Sequence, residues 1–535
     1  MSSLSILSQR ALSGGEVFSR AGKSLLMALA LVLLTFLSAC SSSSRASGVG
    51  CPGGTGTFTN ASLPAGSQWA YNLSGTISQS NGVVNSYAEA GVFTADGNGN
   101  ISSGMDDYYG SSFSGKYSIS SNGTGSITVV LGNGAQTLSW GIALSGTSPG
   151  SFYLIEADIF ANAAGTAVQQ TASALGAMPS GTFVFHTHIA TTGLTLAGSM
   201  AAVGTMTVSN GSLTGKEDGL LGGQLASQLT LTGGLTAPDS TGRGGATLID
   251  SSGRTQNYEY YVIDTNTLHL FELDSGIVGL GRAEMQTGAP FATNSLSAGA
   301  GFAFGSRGDT TASVAANGVA GGVNTVGAMT VDGAGKISAA SYDSVRDGTV
   351  NSNLSVTGTY SADLSGDGRY TFTLNSAAGT ITEVAYMVSP SRAFFLVDDS
   401  TKVEDGTADR QSNPSFATSD FNGQFALVMG GYDATDFVDR TGVLEADGKG
   451  GLNLAELLNR TGVITVPGCL PGTYSVASNG RVSGSVTTLS PNLVFYMVSG
   501  GAGGKAYVLE ADALTQISGG MAEQTTAVAD PPGIF

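Results

Sequence analysis

Tyr153-Leu154-Ile155-Glu156-Ala157-Asp158 (YLIEAD) returns three more times along this chain, as HLFELD at 269–274, FFLVDD at 394–399 and YVLEAD at 507–512. Each copy ends on an aspartate: Asp158, Asp274, Asp399 and Asp512. Seven residues further on stands a glycine (Gly165, Gly281, Gly406, Gly519), and twelve residues on a glutamine (Gln170, Gln286, Gln411, Gln524) followed by Thr or Ser. Self-similarity at fixed spacing defines a repeat architecture before any secondary structure is assigned.

Upstream of each copy the pattern is that of short strands and tight turns. Each unit opens on Gly and alternating apolar residues, as in Gly181-Thr182-Phe183-Val184-Phe185 and Gly423-Gln424-Phe425-Ala426-Leu427. Hairpin signals follow at Asp96-Gly97, Asn210-Gly211, Asp332-Gly333 and Asp447-Gly448, and again at Asn122-Gly123, Asp367-Gly368 and Asn479-Gly480. Asp-Gly and Asn-Gly suit type I′ turns, whose two central residues need positive φ. Counting strands gives about eight per unit of about 115–125 residues, a normal domain size. The expected fold is all-β: four tandem antiparallel domains, each an eight-stranded up-and-down barrel, because closing the meander removes its edges. In layout this is similar to the calycin-like barrels of lipocalins and avidins. The alternative is four two-sheet β-sandwiches. A single propeller is excluded, since a blade needs only about 40–50 residues.

The N-terminus is an address. Residues 1–23 carry Arg10, Arg20 and Lys23, and residues 24–36 are the apolar run SLLMALALVLLTF, too short to span a bilayer, which takes about 20 residues. Leu37-Ser38-Ala39-Cys40 follows and resembles the lipobox of bacterial lipoproteins. That resemblance implies cleavage before Cys40, diacylglycerol on its thiol and acylation of the new amine. In that family Ser41, in place of Asp, points to the outer membrane. The expected organisation is a signal at 1–39, a Ser/Gly-rich tether at 40–62, and repeats at 63–175, 176–293, 294–416 and 417–530. The mature part also resembles Gly/Ser/Thr-rich β-repeat surface proteins, with no particular family identified.

Composition narrows the function. Losing residues 1–39 removes three bases and Glu16, leaving 18 Lys+Arg against 38 Asp+Glu, net −20. An acidic chain without a basic patch is a poor nucleic-acid partner. With Cys40 lipidated, Cys51 and Cys469 remain as a possible disulfide in an oxidising compartment, and two free thiols are the alternative.

Features kept in all four units serve the fold first: the aspartates as turn caps, the glutamines as donors to backbone groups at a seam. Function is better sought in what one repeat alone has. All three histidines, His186, His188 and His269, lie in repeat two. His186 and His188, two apart on a strand, share a face and form a candidate metal pair. His269 aligns with Tyr153, Phe394 and Tyr507 as an aromatic packing position. Asp96-Gly97-Asn98-Gly99-Asn100 lacks the glycine a calcium loop needs at its sixth position, so it reads as a turn. Ser148 in Gly146-Thr147-Ser148-Pro149-Gly150 matches a nucleophile elbow but has no helix after it. Trp140, the Tyr258/Tyr260/Tyr261 group and Tyr108/Tyr109 are candidate stacking surfaces or core. The functional expectation is a lipid-anchored envelope protein, structural or adhesive, with no catalytic centre and no cofactor. The alternative is a barrel lipoprotein holding a glycan or small apolar ligand, with an enzyme third. Expected partners are the membrane, through lipid, and a glycan, small apolar ligand or protein.

Overall fold

The computed structural model describes residues 58–524 apart from 79–83, 133, 135, 148–149, 192–197, 315–318, 434–435, 487–491, 502–503 and 514. Cys40, Cys51 and Ser148 therefore lie outside the described residues. Strand alternation is visible wherever one face meets solvent. In β5 (Thr124–Leu131), β13 (Arg243–Asp250) and β21 (Arg369–Ser376) buried and more accessible residues alternate along the strand. The inward set forms a barrel and the outward set meets water.

Four antiparallel barrels follow one another, each an up-and-down meander. The first runs from β1 (Ser67–Ser78) to β8 (Ala161–Gln169), the second from β9 (Gly181–Thr191) to β16 (Ile277–Met285), and the third from β17 (Gly301–Val314) to β24 (Lys402–Arg410). The fourth spans β25 (Asn422–Tyr432) to β33 (Gln516–Glu523). It closes through β26 (Phe437–Asp447) on β27 (Gly451–Arg460) and carries one extra short strand, β28 (Val463–Thr465), on β27. In each barrel the last strand pairs with the first. The barrel, not the sandwich, is the fold. The hairpin signals all fall at turns, but of them only Asn210 and Gly211, with φ of 49° and 80°, have the type I′ pattern; at the rest the glycine alone has positive φ. Asp96, Asp332 and Asp447 instead cap their turns, each accepting two backbone N–H bonds.

The barrel interiors are filled by their own side chains. Trp69, Phe93, Trp140 and Phe152 pack the first, Phe183, Tyr258 and Tyr260 the second, Phe302, Phe372 and Phe395 the third, and Phe421, Phe425 and Phe495 the fourth. Burying each such side chain is worth about 1.5–3 kcal/mol. Trp140, Tyr258 and Tyr260 are thus core, not a stacking surface. Tyr108 and Tyr109 are half-buried against the first core.

Some strands are buried on both faces, as β7 (Gly150–Glu156) is along its whole length. The second face lies in a seam between barrels. Ala70, Ala90 and Val92 of barrel one meet Tyr261, Ile263 and Phe271 of barrel two. Val184, Val203 and Leu220 meet Tyr386, Phe394 and Leu396 of barrel three. Ala303, Val326 and Val345 meet Tyr496, Tyr507 and Leu509 of barrel four. Ala426, Val428 and Leu457 of barrel four return to Tyr153, Ile155 and Ala164 of barrel one. The four barrels close into a ring. A row of separate domains, the simplest picture of a tandem repeat, is replaced by an assembly in which every barrel has two neighbours.

Candidate binding site

The repeated glutamines stitch this ring. The side-chain amide of Gln170 donates to the carbonyls of Thr241 and Val262, that of Gln286 to Asp367 and Met387, and that of Gln411 to Asn479 and Met497. Gln524 donates to Asn122 and Leu144, back in barrel one. Each glutamine lies just past its barrel's last strand and reaches into the next barrel, at 2.8–2.9 Å throughout. The repeated aspartates accept bonds close to the turn after the seventh strand: Asp158 from the Phe160 amide, Asp399 from Thr401, Asp274 from Asn257 and Asp512 from Asn492.

Three seams also carry a buried Asp–Arg–Tyr network. Asp107 accepts from Tyr261 and Arg243, Asp218 from Tyr386 and both ends of the Arg369 fork, and Asp343 from Tyr496 and both ends of the Arg481 fork. In each, the arginine and the tyrosine are cross-strand partners on adjacent strands. The equivalent pair in barrel one is Thr124 and Ala143, and the residue facing it from barrel four is Leu457. The closing seam is therefore apolar at this point. Leu457 fills the space over Gly141, where a Cβ would stand 2.0 Å from its Cδ2. Asn459, fully buried, donates from Nδ2 to the carbonyls of Glu156 and Ala161 at 2.9 and 3.0 Å.

At the centre of the ring lies a cavity of about 220 Å³ lined by all four barrels, including Ser74, Asn162, His186, His188, His269, Arg307, Asp309, Asp405, Asp439 and Gln516. The repeated glycines set the approach to it. Gly165, Gly281, Gly406 and Gly519 pair with Leu73, Thr187, Ser306 and Met429 on the first strands. A Cβ at Gly165 would lie 1.8 Å from the Asn72 carbonyl oxygen and one at Gly519 2.0 Å from that of Val428. Counting one residue on from those partners gives Ser74, His188, Arg307 and Gly430, equivalent positions with unlike chemistry. Three on gives Thr76, Ala190, Asp309 and Tyr432. The symmetric frame thus presents an asymmetric wall.

All three histidines reach this wall. His186 and His188 grip opposite oxygens of Asp405, a buried carboxylate of barrel three, through Nδ1 at 3.3 and 2.6 Å. The His188 Nε2 lies 3.6 Å from Asp309, which also accepts from the Ser199 hydroxyl at 2.5 Å. Burial works against a charge on His188, but Asp405 and Asp309 overcome it and raise its pKa to about 10. Burial likewise opposes ionisation of Asp405, yet His188 and His186 bring it down to about 2. His186 packs against Phe394 in a tilted contact with centroids 4.4 Å apart, and His269 stands 3.5 Å from Asn72 across the first seam. As a metal pair, His186 and His188 lack company: among the described residues no group of three or more His, Cys, Asp or Glu is placed to hold a metal ion. Their Nδ1 atoms are turned to a carboxylate instead.

Arg307 and Asp439 were not legible as site residues in the sequence. Arg307 donates to Ser74 Oγ at 2.9 Å, from barrel three to the diagonally opposite barrel one. Asp439 is 2% exposed, with burial raising its pKa to about 7 against the pull of Asn162 and Arg307. The one available signal for Arg307 was that its repeat equivalents, Ser74, His188 and Gly430, differ from it in chemistry.

Cys469 is disulfide-bonded in the linker between β28 and β29 (Leu470–Val476). No protein-family model and no curated relative matches the chain. Two solved structures are similar to it in part. One is the crystal structure of the isotype 1 transferrin binding protein B from serogroup B Neisseria meningitidis, with 9% identity and a TM-score of 0.17 over 69% of this chain and 82% of that one. The other is intact Ap-TbpB with its N and C lobes, with 10% identity and a TM-score of 0.17 over 70% of this chain and 83% of that one. A likeness at that score carries no inference about family, partner or function.

Proposed function

We propose that the protein is a non-catalytic, lipid-anchored envelope protein whose folded part serves as a rigid structural or adhesive body. The observation that carries this reading is the ring itself: four barrels packed solid by their own side chains and locked to two neighbours each. Solid interiors weigh against the alternative in which a barrel holds an apolar ligand or glycan, because the space such a ligand needs is taken by residues such as Trp69, Phe302 and Phe495. Anchoring rests on Leu37-Ser38-Ala39-Cys40 and places the body at the cell envelope, at the outer membrane where the cell has one. With Cys40 on lipid, Cys51 is the partner proposed for the disulfide of Cys469, which would draw the tether back onto barrel four.

Palmitate labelling tests the anchor: Cys40→Ala is expected to abolish label and membrane association together, and persistent labelling would remove the lipobox assignment. Adhesion to host or bacterial cells and binding to a glycan array test the role. Silence of the purified mature protein in both assays would sink the adhesive reading and leave a purely structural one.

A further inference from the structure

We propose that the cavity on the ring axis binds a small zwitterionic solute of the amino-acid type, its carboxylate on Arg307 and its ammonium group on Asp439. This goes beyond the structural or adhesive role and does not depend on it.

The first observation is the state of Arg307. A guanidinium has five N–H donors in a planar fork suited to a carboxylate. Arg307 makes one hydrogen bond, to Ser74, and among the described residues no ion pair. This sets it apart from the other arginines turned to ring seams. Arg243, Arg369 and Arg481 sit on Asp107, Asp218 and Asp343, and Arg282 and Arg392 share Glu284. Asp405 and Asp309 face the same cavity, but Asp405 is held by His186 and His188, and Asp309 by His188 and Ser199.

The second observation is the acid that lines the same cavity. One carboxyl oxygen of Asp439 is buried with no hydrogen-bond partner, and so is the amide nitrogen of Gln516, which is 3% exposed and lines the same space. Burying such groups unpaired is costly, so a partner in the cavity is favoured. Asp309 and Asp405 act on Arg307 through space more strongly than Asp439 does, but both are engaged by histidine, and Asp439 forms no ion pair with Arg307 among the described residues. A cation and an acid that line one cavity without an ion pair between them are matched by a solute that carries both charges. The volume, about 220 Å³, equals the share of on the order of seven waters and is below that of drug-sized pockets. It suits a single small amino acid. Local symmetry makes the room: Gly430 stands where Arg307 stands in barrel three, and a Cβ there would come 2.8 Å from Asp439 Oδ1.

The test uses the purified mature protein and four probes at equal millimolar concentration: glycine, alanine, acetate and ethylammonium. Thermal unfolding and titration calorimetry are read together. Glycine or alanine is expected to raise Tm and give saturable heat, while acetate and ethylammonium do neither. Arg307→Gln and Asp439→Asn are each expected to lose the shift. Asp439→Asn is isosteric and guards against a failure of Arg307→Gln to fold. Equal shifts from acetate would overturn the zwitterion assignment. No shift or heat from any probe would mean the cavity holds only water and would overturn the site. A shift that survives in both variants would place binding elsewhere and overturn it too.

Discussion

Asp405 sits between two imidazoles, and the charge states of His188 and Asp405 set two limits on stability. His188 has a folded pKa of about 10 against an ordinary 6.5, so its contribution is complete below pH 6.5 and is lost as pH rises to 10. Asp405 has a folded value of about 2 against 3.8, so its contribution is complete above pH 3.8 and is lost as pH falls to 2. His188→Gln should remove the alkaline limb. Urea midpoints should show the wild type losing on the order of 3–5 kcal/mol relative to the variant between pH 6.5 and 10. Parallel profiles would dismiss the pair. Barrel one supplies a second case. Glu89, Asp106 and Glu156 are buried together, with the Tyr87 hydroxyl on Glu89, Tyr71 on Asp106 and Trp140 on Glu156. In barrel four the corresponding trio is Arg440, Glu456 and Glu510, where a guanidinium replaces the first carboxyl and bonds Glu456 at 3.0 Å. Lacking that cation, Glu89 is pushed well up by burial and then by Asp106 and Glu156. A raised carboxyl costs stability as pH climbs above its ordinary 4.5. Glu89→Gln is therefore expected to stabilise by on the order of 1–3 kcal/mol at pH 7 and by little at pH 4, read by denaturant titration. An equal gain at both pH values would contradict the sign.

At the scale of strands and seams, the repeated residues act between barrels rather than within them. Gln286→Leu leaves the carbonyls of Asp367 and Met387 without their donor, a loss of about 1–3 kcal/mol for each group that finds no water. Gly165→Ala places a methyl against the Asn72 carbonyl in the β1–β8 pairing and should cost about 1–3 kcal/mol or more, with repacking toward the axis. Thermal melts of both variants check these values, and an unchanged Tm in Gly165→Ala would show that the strands separate freely there. Much of this level was readable beforehand. The Asp-Gly and Asn-Gly turns and the alternation specify strands because turn sterics and side-chain period are local. Seam partners were not readable: Asp218 meets Arg369 across 151 positions, and Asp343 meets Arg481 across 138. No spacing rule links such pairs.

For the molecule as a whole, the seams are unequal. Three hold an aspartate in a network with an arginine and a tyrosine, and the fourth has at that point Leu457 over Gly141, with the neutral amides of Asn459, Asn162 and Gln524 beside it. Breaking a buried charged network by removing one partner costs about 3–5 kcal/mol, whereas the closing seam depends on packing and on the neutral amide bonds of Asn459, Asn162 and Gln524. Asn459→Ala should open the ring between barrels four and one while all four barrels stay folded. Hydrogen exchange would then rise in β7 and β27 and stay unchanged in β13 and β21. Uniform acceleration across all barrels would show instead that the ring is one cooperative unit.

The sequence by itself determined the fourfold repeat, the all-β class and the eight-stranded barrel, because each follows from local patterns: a motif returning at fixed spacing, glycine-bearing turn residues, and alternation with period two. It also pointed to the histidines as a feature of one repeat. Only the tertiary structure decided that the barrels form a ring and that Gln524 reaches back to Asn122 and Leu144. It alone brought His186 and His188 onto Asp405, and Arg307 across to Ser74, 233 positions earlier. The physical reason is that a seam is a contact between two already closed surfaces. Its partners are selected by shape and charge in space, and nothing in a strand's own alternation encodes which barrel will lie against it.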